Sequence, residues 1–209
     1  MVLYIPPHFR QSDPAALQAA MHDIAFASLV SQGEHGLTAS HVPLLLDASR
    51  GPQGVLRGHL ARANPQARQK PTEALAIFLG PQGYISPGWY AAKREHGKVV
   101  PTWNYIAVHA SGPLRWIEED EAVLAIVRDL TDRHEAGLAA PWQVSDAPAD
   151  FIAGMLRGII GFELEIASLE GKWKLGQNRQ PADIAGSVAG LRGQGADDLA
   201  DAMEIAPPN

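Results

Sequence analysis

Residues 95–109 read EHGKVVPTWNYIAVH, and this stretch decides the fold because a charged, glycine-containing loop passes there into a strand. The strand carries the consecutive residues Trp-Asn-Tyr, of which Trp103 is the first. Similar clusters occur before it, at residues 86–90 (SPGWY), and after it, at residues 172–179 (KWKLGQNR). Aromatic rings beside amides, hydroxyls and cations are poorly suited to an apolar core. They favour a flat, anionic ligand with polar edges.

The composition is that of an ordinary globular chain. Its 209 residues are 46% hydrophobic and 19% charged, which is enough for one domain with a full core. The formal net charge of −6 at pH 7 argues against the positive surface that direct DNA binding requires. With no cysteine, the chain cannot form disulfides, thiolate metal sites or a cysteine nucleophile.

The amino terminus and the hydropathy of the chain indicate where the protein works. Residues 1–9 (MVLYIPPHF) lack the basic segment and apolar run of a signal peptide. No apolar run approaches the roughly 20 residues that span a bilayer. We therefore expect a cytoplasmic protein with no membrane contact.

Short strands separated by turn residues dominate the first part of the chain. Pro43 has no amide proton to donate, so its strand is expected at a sheet edge or bulged there. About six or seven strands at such spacings are typical of an antiparallel barrel. The predicted strands are 26–31, 37–46, 55–61, 74–79, 84–85, 101–110 and 114–117, with turns at 80–83 and 111–112.

Helical periodicity dominates the later part of the chain. Residues 118–135 place apolar side chains at helical spacing, with acids at the start and cations at the end, as the helix dipole favours. A shorter helix over 148–157 is expected to have Asp146 as its cap and to bury Phe151, Ile152, Met155 and Leu156. The remaining predictions are helices over 14–22, 181–191 and 196–203, and a strand over 161–169.

No catalytic, metal-binding or nucleotide-binding motif of defined spacing is present. The sequence has no GxSxG, HExxH, GxGxxG or Walker A pattern. The histidines lie on separate predicted elements, and we interpret four as structural or surface residues: His8, His22, His35 and His134. His59 lies on the less apolar face of its strand, where a ligand contact and a structural role are equally good interpretations.

A phosphate would have to be bound by side chains, since no glycine-rich loop is present. Arginine grips phosphate oxygens with two parallel hydrogen bonds and lysine acts as a point charge, so the candidates are Arg62, Lys98, Lys172 and Lys174. The clustered aromatic residues have two interpretations, as core or dimer-interface residues or as ligand contacts. Their polar neighbours and their positions beside turns favour the ligand.

Four motifs, in order, resemble the PaiB family, the FMN-binding negative transcriptional regulators. They are RGHLARANP (57–65), YISPGWY (84–90), HGKVVPTWNY (96–105) and LEGKWKLGQNR (169–179). The resemblance extends to about Arg192, so we interpret 1–192 as one FMN-binding split-barrel domain and 193–209 as a tail with a weak helix. One departure is Gly176, where a serine or similar residue is expected.

The resemblance implies a mainly β fold with flanking helices (α+β). This would be an antiparallel split β-barrel related to the pyridoxamine-phosphate-oxidase-like flavoproteins, in a homodimer with FMN at the interface. By motif identity, the flavin phosphate would be held by His59, Arg62 and Asn64. The flavin, or the partner's side of it, would be lined by Ser86, Trp89, Tyr90, Thr102, Trp103 and Asn104. The residues that would close the site are Lys172, Lys174, Gln177 and Asn178.

Three functions remain open from the sequence. The first is an FMN-binding negative regulator of transcription, acting directly or indirectly; the helices over 118–135 and 148–157 have too few cations for a helix-turn-helix. The second is a flavin-dependent oxidoreductase, either an NAD(P)H-using reductase or an oxidase, or a haem-handling relative; in the oxidoreductase the flavin supplies the hydride chemistry. The third is a structural dimer whose pocket is a relic of cofactor binding.

Overall fold

The computed structural model of the chain describes residues 3–34, 36–70 and 73–206; His35 lies outside them. The strands are Arg10–Gln11 (β1), Phe26–Gly33 (β2), Gly36–Pro43 (β3), Leu45–Asp47 (β4), Val55–Ala61 (β5), Glu73–Ile85 (β6), Thr102–Ile117 (β7), Ile159–Glu165 (β8) and Ser168–Lys174 (β9). The helices are Pro14–Ile24 (α1), Ala92–Glu95 (α2), Asp120–Glu135 (α3), Ala149–Leu156 (α4), Pro181–Arg192 (α5) and Asp197–Ile205 (α6).

The strands form an antiparallel sheet with flanking helices, which confirms the predicted mainly β fold. The strand order is β3-β2-β6-β7-β8-β5-β4, and β9 pairs with β1 and β7. Strand β3 ends at Pro43 and occupies one end of this order, as the missing amide proton predicts. No helix among the described residues has both the length and the apolar composition needed to cross a membrane.

The chain divides into two units. The first comprises Met1–Leu17, Leu79–Val108 and Glu170–Asn209, and the second comprises Gln18–Phe78 and His109–Leu169. The core of the first unit packs α5 and α6 together through Ile85, Tyr90, Leu175, Val188, Leu191, Leu199, Ala200 and Met203. The core of the second unit lies beneath α3 and contains Leu45, Ile117, Val123, Ile126, Leu130 and Leu156. The division predicted from sequence, 1–192 and 193–209, stays a prediction.

The predicted turns at 80–83 and 111–112 are wrong, because β6 and β7 run through them without interruption. The glycines there serve close packing instead. A Cβ on Gly83 would lie 2.9 Å from the Leu199 side chain, and one on Gly112 would lie 1.9 Å from the carbonyl oxygen of Glu165. Glycine without a positive φ angle therefore marks the approach of a neighbour rather than a turn.

The predicted strand over 161–169 is in fact two strands. It breaks between β8 and β9, where Ile166 N–H donates to the carbonyl oxygen of Gly54 and Ala167 N–H donates to that of Ser111. The predicted strand over 37–46 likewise divides at Leu44, whose N–H donates to the carbonyl oxygen of Ala25 at 2.9 Å. Each of these hydrogen bonds continues an existing pairing register past the end of the strand: Ile166 with β5, Ala167 with β7 and Leu44 with β2.

The short helix α4 also departs from expectation. Asp146 does not cap it; its carboxylate accepts from Gln143 N–H in the preceding 3₁₀ turn Val144–Asp146. Phe151 and Met155, predicted to be buried, are 58% and 56% exposed. An eight-residue helix buries one narrow stripe, and in α4 Leu156 is buried in the core while the half-buried Ile152 packs against it.

Candidate functional site

A cavity of about 170 Å³ lies within the first unit. It forms where the end of β9 and the loop after it meet the start of β7 and helix α5. Five of the predicted site residues line it, and they come from three separate stretches of sequence. The lining residues are Phe9, Tyr90, Thr102, Asn104, Lys174, Gly176, Asn178, Arg179, Ile184, Ser187 and Met203.

Strand geometry explains why Thr102 and Asn104 reach the cavity and Trp103 does not. Side chains alternate between the two faces of a strand, so Thr102 and Asn104 share one face. Lys174 is fixed beside them, because its Nζ donates to Thr102 Oγ1 at 2.5 Å and also to the carbonyl oxygen of Trp103. The Trp103 side chain is 49% exposed, and its indole N–H donates to Gln82 Oε1 at 3.2 Å.

The cavity is electropositive. Burial lowers the pKa of Lys174, and the neighbouring charges of Lys172 and Arg179 lower it further. None of these three cations forms an ion pair with a carboxylate in the described parts of the chain. Within the described residues, hydrogen bonds and aromatic rings are therefore the direct contacts of these cations, and the nearby buried Asp183 acts on Tyr90 without pairing with them.

Aromatic rings lie beside all three cations, and Lys174 Nζ is 6.0 Å from the centre of the Phe9 ring. The guanidinium of Arg179 lies 4.9 Å from the centre of the Tyr90 ring. The ammonium of Lys172 lies between the rings of Tyr4 and Tyr105, at 5.5 and 5.3 Å, and donates to the carbonyl oxygen of Tyr4 at 3.0 Å. Burial raises the pKa of Tyr90, so its hydroxyl stays protonated at neutral pH.

Asn104 is a buried polar side chain in the cavity wall. It is 3% exposed, and its Nδ2 donates to the sulfur of Met203 at 3.4 Å. A thioether sulfur is a weak acceptor, so this amide is poorly satisfied. Gly176 lies opposite with φ +85°, and a Cβ there would stand 3.6 Å from Asn104 Nδ2.

Three further predicted site residues have structural roles. Ser86 caps the 3₁₀ turn Pro87–Trp89, where its hydroxyl accepts from Gly88 N–H at 3.1 Å. Trp89 is packed against glycines 186 and 190 of α5; a Cβ on Gly190 would lie 2.2 Å from Trp89 Cδ2. Gln177 closes its own turn, accepting from Leu175 N–H and donating to the Trp173 carbonyl.

The predicted phosphate residues lie in the second unit, on β5 and the loop after it. His59 is half-buried, burial lowers its pKa, and its Nδ1 has no hydrogen-bond partner among the described residues. Arg62 faces Glu118 across a long 3.9 Å contact. Asn64 is fully engaged, since its Oδ1 accepts from Gln66 N–H and its Nδ2 donates to Ser40 Oγ.

The second unit has a larger cavity, of about 680 Å³. It begins directly after Asn64, in the 3₁₀ turn Pro65–Arg68, and reaches the ends of β2 and β3. A volume of this size is in the range of small-molecule and cofactor sites. Its lining residues are Gln32, Gly33, Glu34, Thr38, Pro65, Arg68, Gln69 and Lys70.

Sequence reasoning missed several of the residues that line the two cavities. Arg179 stands inside a motif that was singled out, and its guanidinium next to a lysine pair was a usable signal. Phe9, Ser187 and Met203 gave no signal, because nothing in the sequence places them near residue 174. Among the described residues no group of three or more His, Asp or Glu side chains is placed to hold a metal ion.

This fold is that of the split-barrel flavin- and haem-binding proteins. The FAD and haem binding protein of Mycobacterium smegmatis matches with a TM-score of 0.59 and 16% identity, over 84% of this chain and 78% of that one. The flavocytochrome Anf3 of Azotobacter vinelandii matches with a TM-score of 0.58 and 13% identity, over 87% of this chain and 78% of that one.

The family follows from the sequence relatives. The family described as "Putative FMN-binding domain" matches residues 3–168, and the chain belongs to it. The protease synthase and sporulation protein PAI 2 of Bacillus subtilis is 29% identical over 209 residues, 97% of each chain. An uncharacterized protein of Emericella nidulans is 34% identical over 194 residues, 77% of each chain. The resemblance to PaiB is thereby confirmed.

Proposed function

We propose that this protein binds FMN and is a negative regulator of transcription of the PaiB type. Membership of the "Putative FMN-binding domain" family carries the proposal. The relation to PAI 2 of Bacillus subtilis, which extends over 97% of both chains, supports the regulatory part. FMN is named rather than FAD because of the family, although one structural relative is an FAD and haem binding protein.

The second unit supplies the best support for where the flavin binds. Its cavity of about 680 Å³ has room for a three-ring isoalloxazine, whereas a cavity of about 170 Å³ does not. Arg62 is only loosely paired with Glu118, whose side chain is 74% exposed, so its guanidinium is available to a phosphate. His59 can contribute a neutral imidazole, and Asn64 orders the loop.

We propose that the protein is a homodimer with FMN at the interface. The hairpin of β2 and β3 presents apolar side chains to solvent, with Phe26 58% and Leu37 76% exposed. Strand β3 is at the end of the strand order, where a second copy can reach it. Trp103 is 49% exposed, so its ring is accessible to a ligand.

Regulation is proposed to proceed without direct DNA contact. The net charge of −6 opposes binding to a polyanion. The exposed face of α3 includes Asp129, Asp132 and Glu121 beside its arginines, which is unsuited to a DNA groove. A gel-shift assay with a regulated promoter at low salt is expected to give no complex; a salt-dependent complex would contradict this part of the proposal.

Titration with FMN and with riboflavin, which lacks the phosphate, tests the flavin assignment. The apoprotein is expected to bind FMN and to acquire the absorption bands of oxidised flavin. Arg62→Ala is expected to weaken FMN at least about tenfold, since a charge-assisted hydrogen bond contributes about 1.5–3 kcal/mol, and to leave riboflavin unchanged. Arg128→Ala, at an exposed arginine of α3, is the matched control.

Different results would contradict different parts of this proposal. If the wild-type protein takes up no FMN, the proposal that FMN is its cofactor is rejected. If the Arg62→Ala variant binds FMN with wild-type affinity, only the proposal that Arg62 holds the flavin phosphate is rejected. Light scattering after size exclusion measures the oligomer; a monomer when FMN is bound would reject the interfacial site.

A further inference from the structure

The first-unit cavity combines several cations, and none of them forms an ion pair with a carboxylate of the described residues. Lys174 and Arg179 line it, and Lys172 lies close enough to lower the pKa of Lys174. The buried acid at the start of α5, Asp183, forms no ion pair with them: its Oδ1 accepts from Ala92 N–H at 3.0 Å, and its charge helps to raise the pKa of Tyr90. Partly buried cations without an ion pair are costly unless an anion joins them.

The same cavity contains a hydrogen-bond donor in need of a better acceptor. Asn104 is 3% exposed, and its Nδ2 donates to the sulfur of Met203, which is a weak acceptor. A buried donor that is left poorly satisfied costs about 1–3 kcal/mol. Asn178 brings a second amide, from the loop after β9. An oxyanion would accept hydrogen bonds from these groups and compensate the charge of Lys174 and Arg179.

The size and walls of the cavity limit the ligand. A volume of about 170 Å³ is close to the roughly 150 Å³ that holds one benzene molecule, and below the roughly 300 Å³ at which drug-sized pockets begin. Phe9, Ile184 and Met203 add apolar surface beside the polar groups. Gly176 keeps the cavity open, since a side chain there would point toward Asn104 and Met203.

We propose that this cavity is a binding site for a small oxyanion, a phosphate or a carboxylate on a short apolar stem, separate from the flavin. Lys174 and Arg179 supply the charge. Asn104 and Asn178 donate from their amides, and Phe9 and Ile184 contact the stem. Tyr90 positions Arg179 through its ring. All of these contacts lie within the first unit, so the proposed anion site does not depend on where the flavin binds.

The experiment is a calorimetric titration of the purified full chain with inorganic phosphate and, separately, with acetate. It is done in chloride buffer, both without FMN and with FMN added. Binding of at least one of the two anions is expected. Lys174→Met and Arg179→Gln are each expected to weaken it about tenfold or more, the effect of losing one charge-assisted hydrogen bond. The control Lys93→Met removes an exposed cation of α2 and should bind as wild type.

Gly176→Ser is a second, independent variant. Its hydroxymethyl group would enter the cavity and offer Asn104 an acceptor, so anion binding is expected to fall. A serine at φ +85° is strained, and thermal unfolding must first show that the variant folds. If Lys174→Met does not fold, Arg179→Gln decides the question, since Arg179 is only half-buried.

Three outcomes would overturn the proposal. The first is that neither anion binds. The second is that wild type, Lys174→Met and Arg179→Gln bind the anion equally well. The third is that FMN, but not riboflavin, displaces the anion in competition. The last result would make the cavity the subsite for the flavin phosphate. Failure to bind FMN is measured in its own titration and leaves this test intact.

Discussion

The guanidinium of Arg179 lies 4.9 Å from the centre of the Tyr90 ring, and this contact links the loop after β9 to the core of the first unit. Tyr90 is 3% exposed and packs in that core. The ring therefore fixes a cation at the edge of the cavity. A carboxylate in its place would neutralise the positive charge, whereas the ring does not.

Tyr90 is expected to stabilise the first unit through its ring. Tyr90→Leu should lower the free energy of unfolding by about 2 kcal/mol, from lost aromatic packing and a lost cation–π contact. Tyr90→Phe keeps the ring and should cost less. Urea denaturation at neutral pH measures both, and equal losses in the two variants would contradict the role assigned to the ring.

Gly190 is expected to tolerate no side chain. A Cβ there would lie 2.2 Å from Trp89 Cδ2, so Gly190→Ala must displace the indole at a cost of about 1–3 kcal/mol. Gly154→Ala in α4 is the matched helical control, because its nearest neighbour would be 3.7 Å away. The control should be neutral or stabilising by up to about 1 kcal/mol. Equal unfolding midpoints for Gly190→Ala and wild type would contradict the contact.

Glu163 is expected to make the second unit acid-sensitive. Its pKa falls from 4.5 to about 2, chiefly because Arg50 hydrogen-bonds the carboxylate, with Arg115 adding a second donor. A depressed carboxylate pKa stabilises the fold above about pH 4.5, and that contribution is lost as the pH falls toward 2. The arginines are 45% and 66% exposed, so we expect about 1–2 kcal/mol after solvent screening.

The variant Glu163→Gln isolates this contribution. Urea unfolding of wild type and variant is compared at pH 7 and near pH 2.5. The wild type should be the more stable at pH 7, and the difference should shrink at the acid pH. A difference that is the same at both pH values would show that the carboxylate charge is not responsible.

His59 is expected to affect the free energy of unfolding at a higher pH than Glu163 does. Burial lowers its pKa below the ordinary 6.5, so the unfolded chain takes up a proton more readily than the folded one. Stability should therefore fall as the pH drops below about 6.5. His59→Gln should remove this part of the pH dependence in urea unfolding between pH 7.5 and pH 5. An unchanged slope in the variant would contradict the burial effect.

Several elements could be predicted from the sequence because their signals are local. Strand β5 was predicted with its observed limits, from a run of alternating residues between a glycine–proline loop and Asn64-Pro65. Helix α3 followed from helical spacing and the charges at its ends. The continuity of β6 and β7 could not be predicted, since Gly83 and Gly112 look like turn residues until Leu199 and Glu165 are placed beside them.

The sequence by itself determined the family and the stretches that hold the candidate residues, because motifs in a fixed order survive as a linear pattern. Only the tertiary structure decided which of those residues share a cavity. Thr102, Asn104 and Lys174 meet there, while Gln177 is used within its own turn. The physical reason is that charge compensation and burial depend on neighbours distant in sequence: Met203 leaves the Asn104 amide poorly satisfied, and Gly176 leaves the space that a ligand could fill.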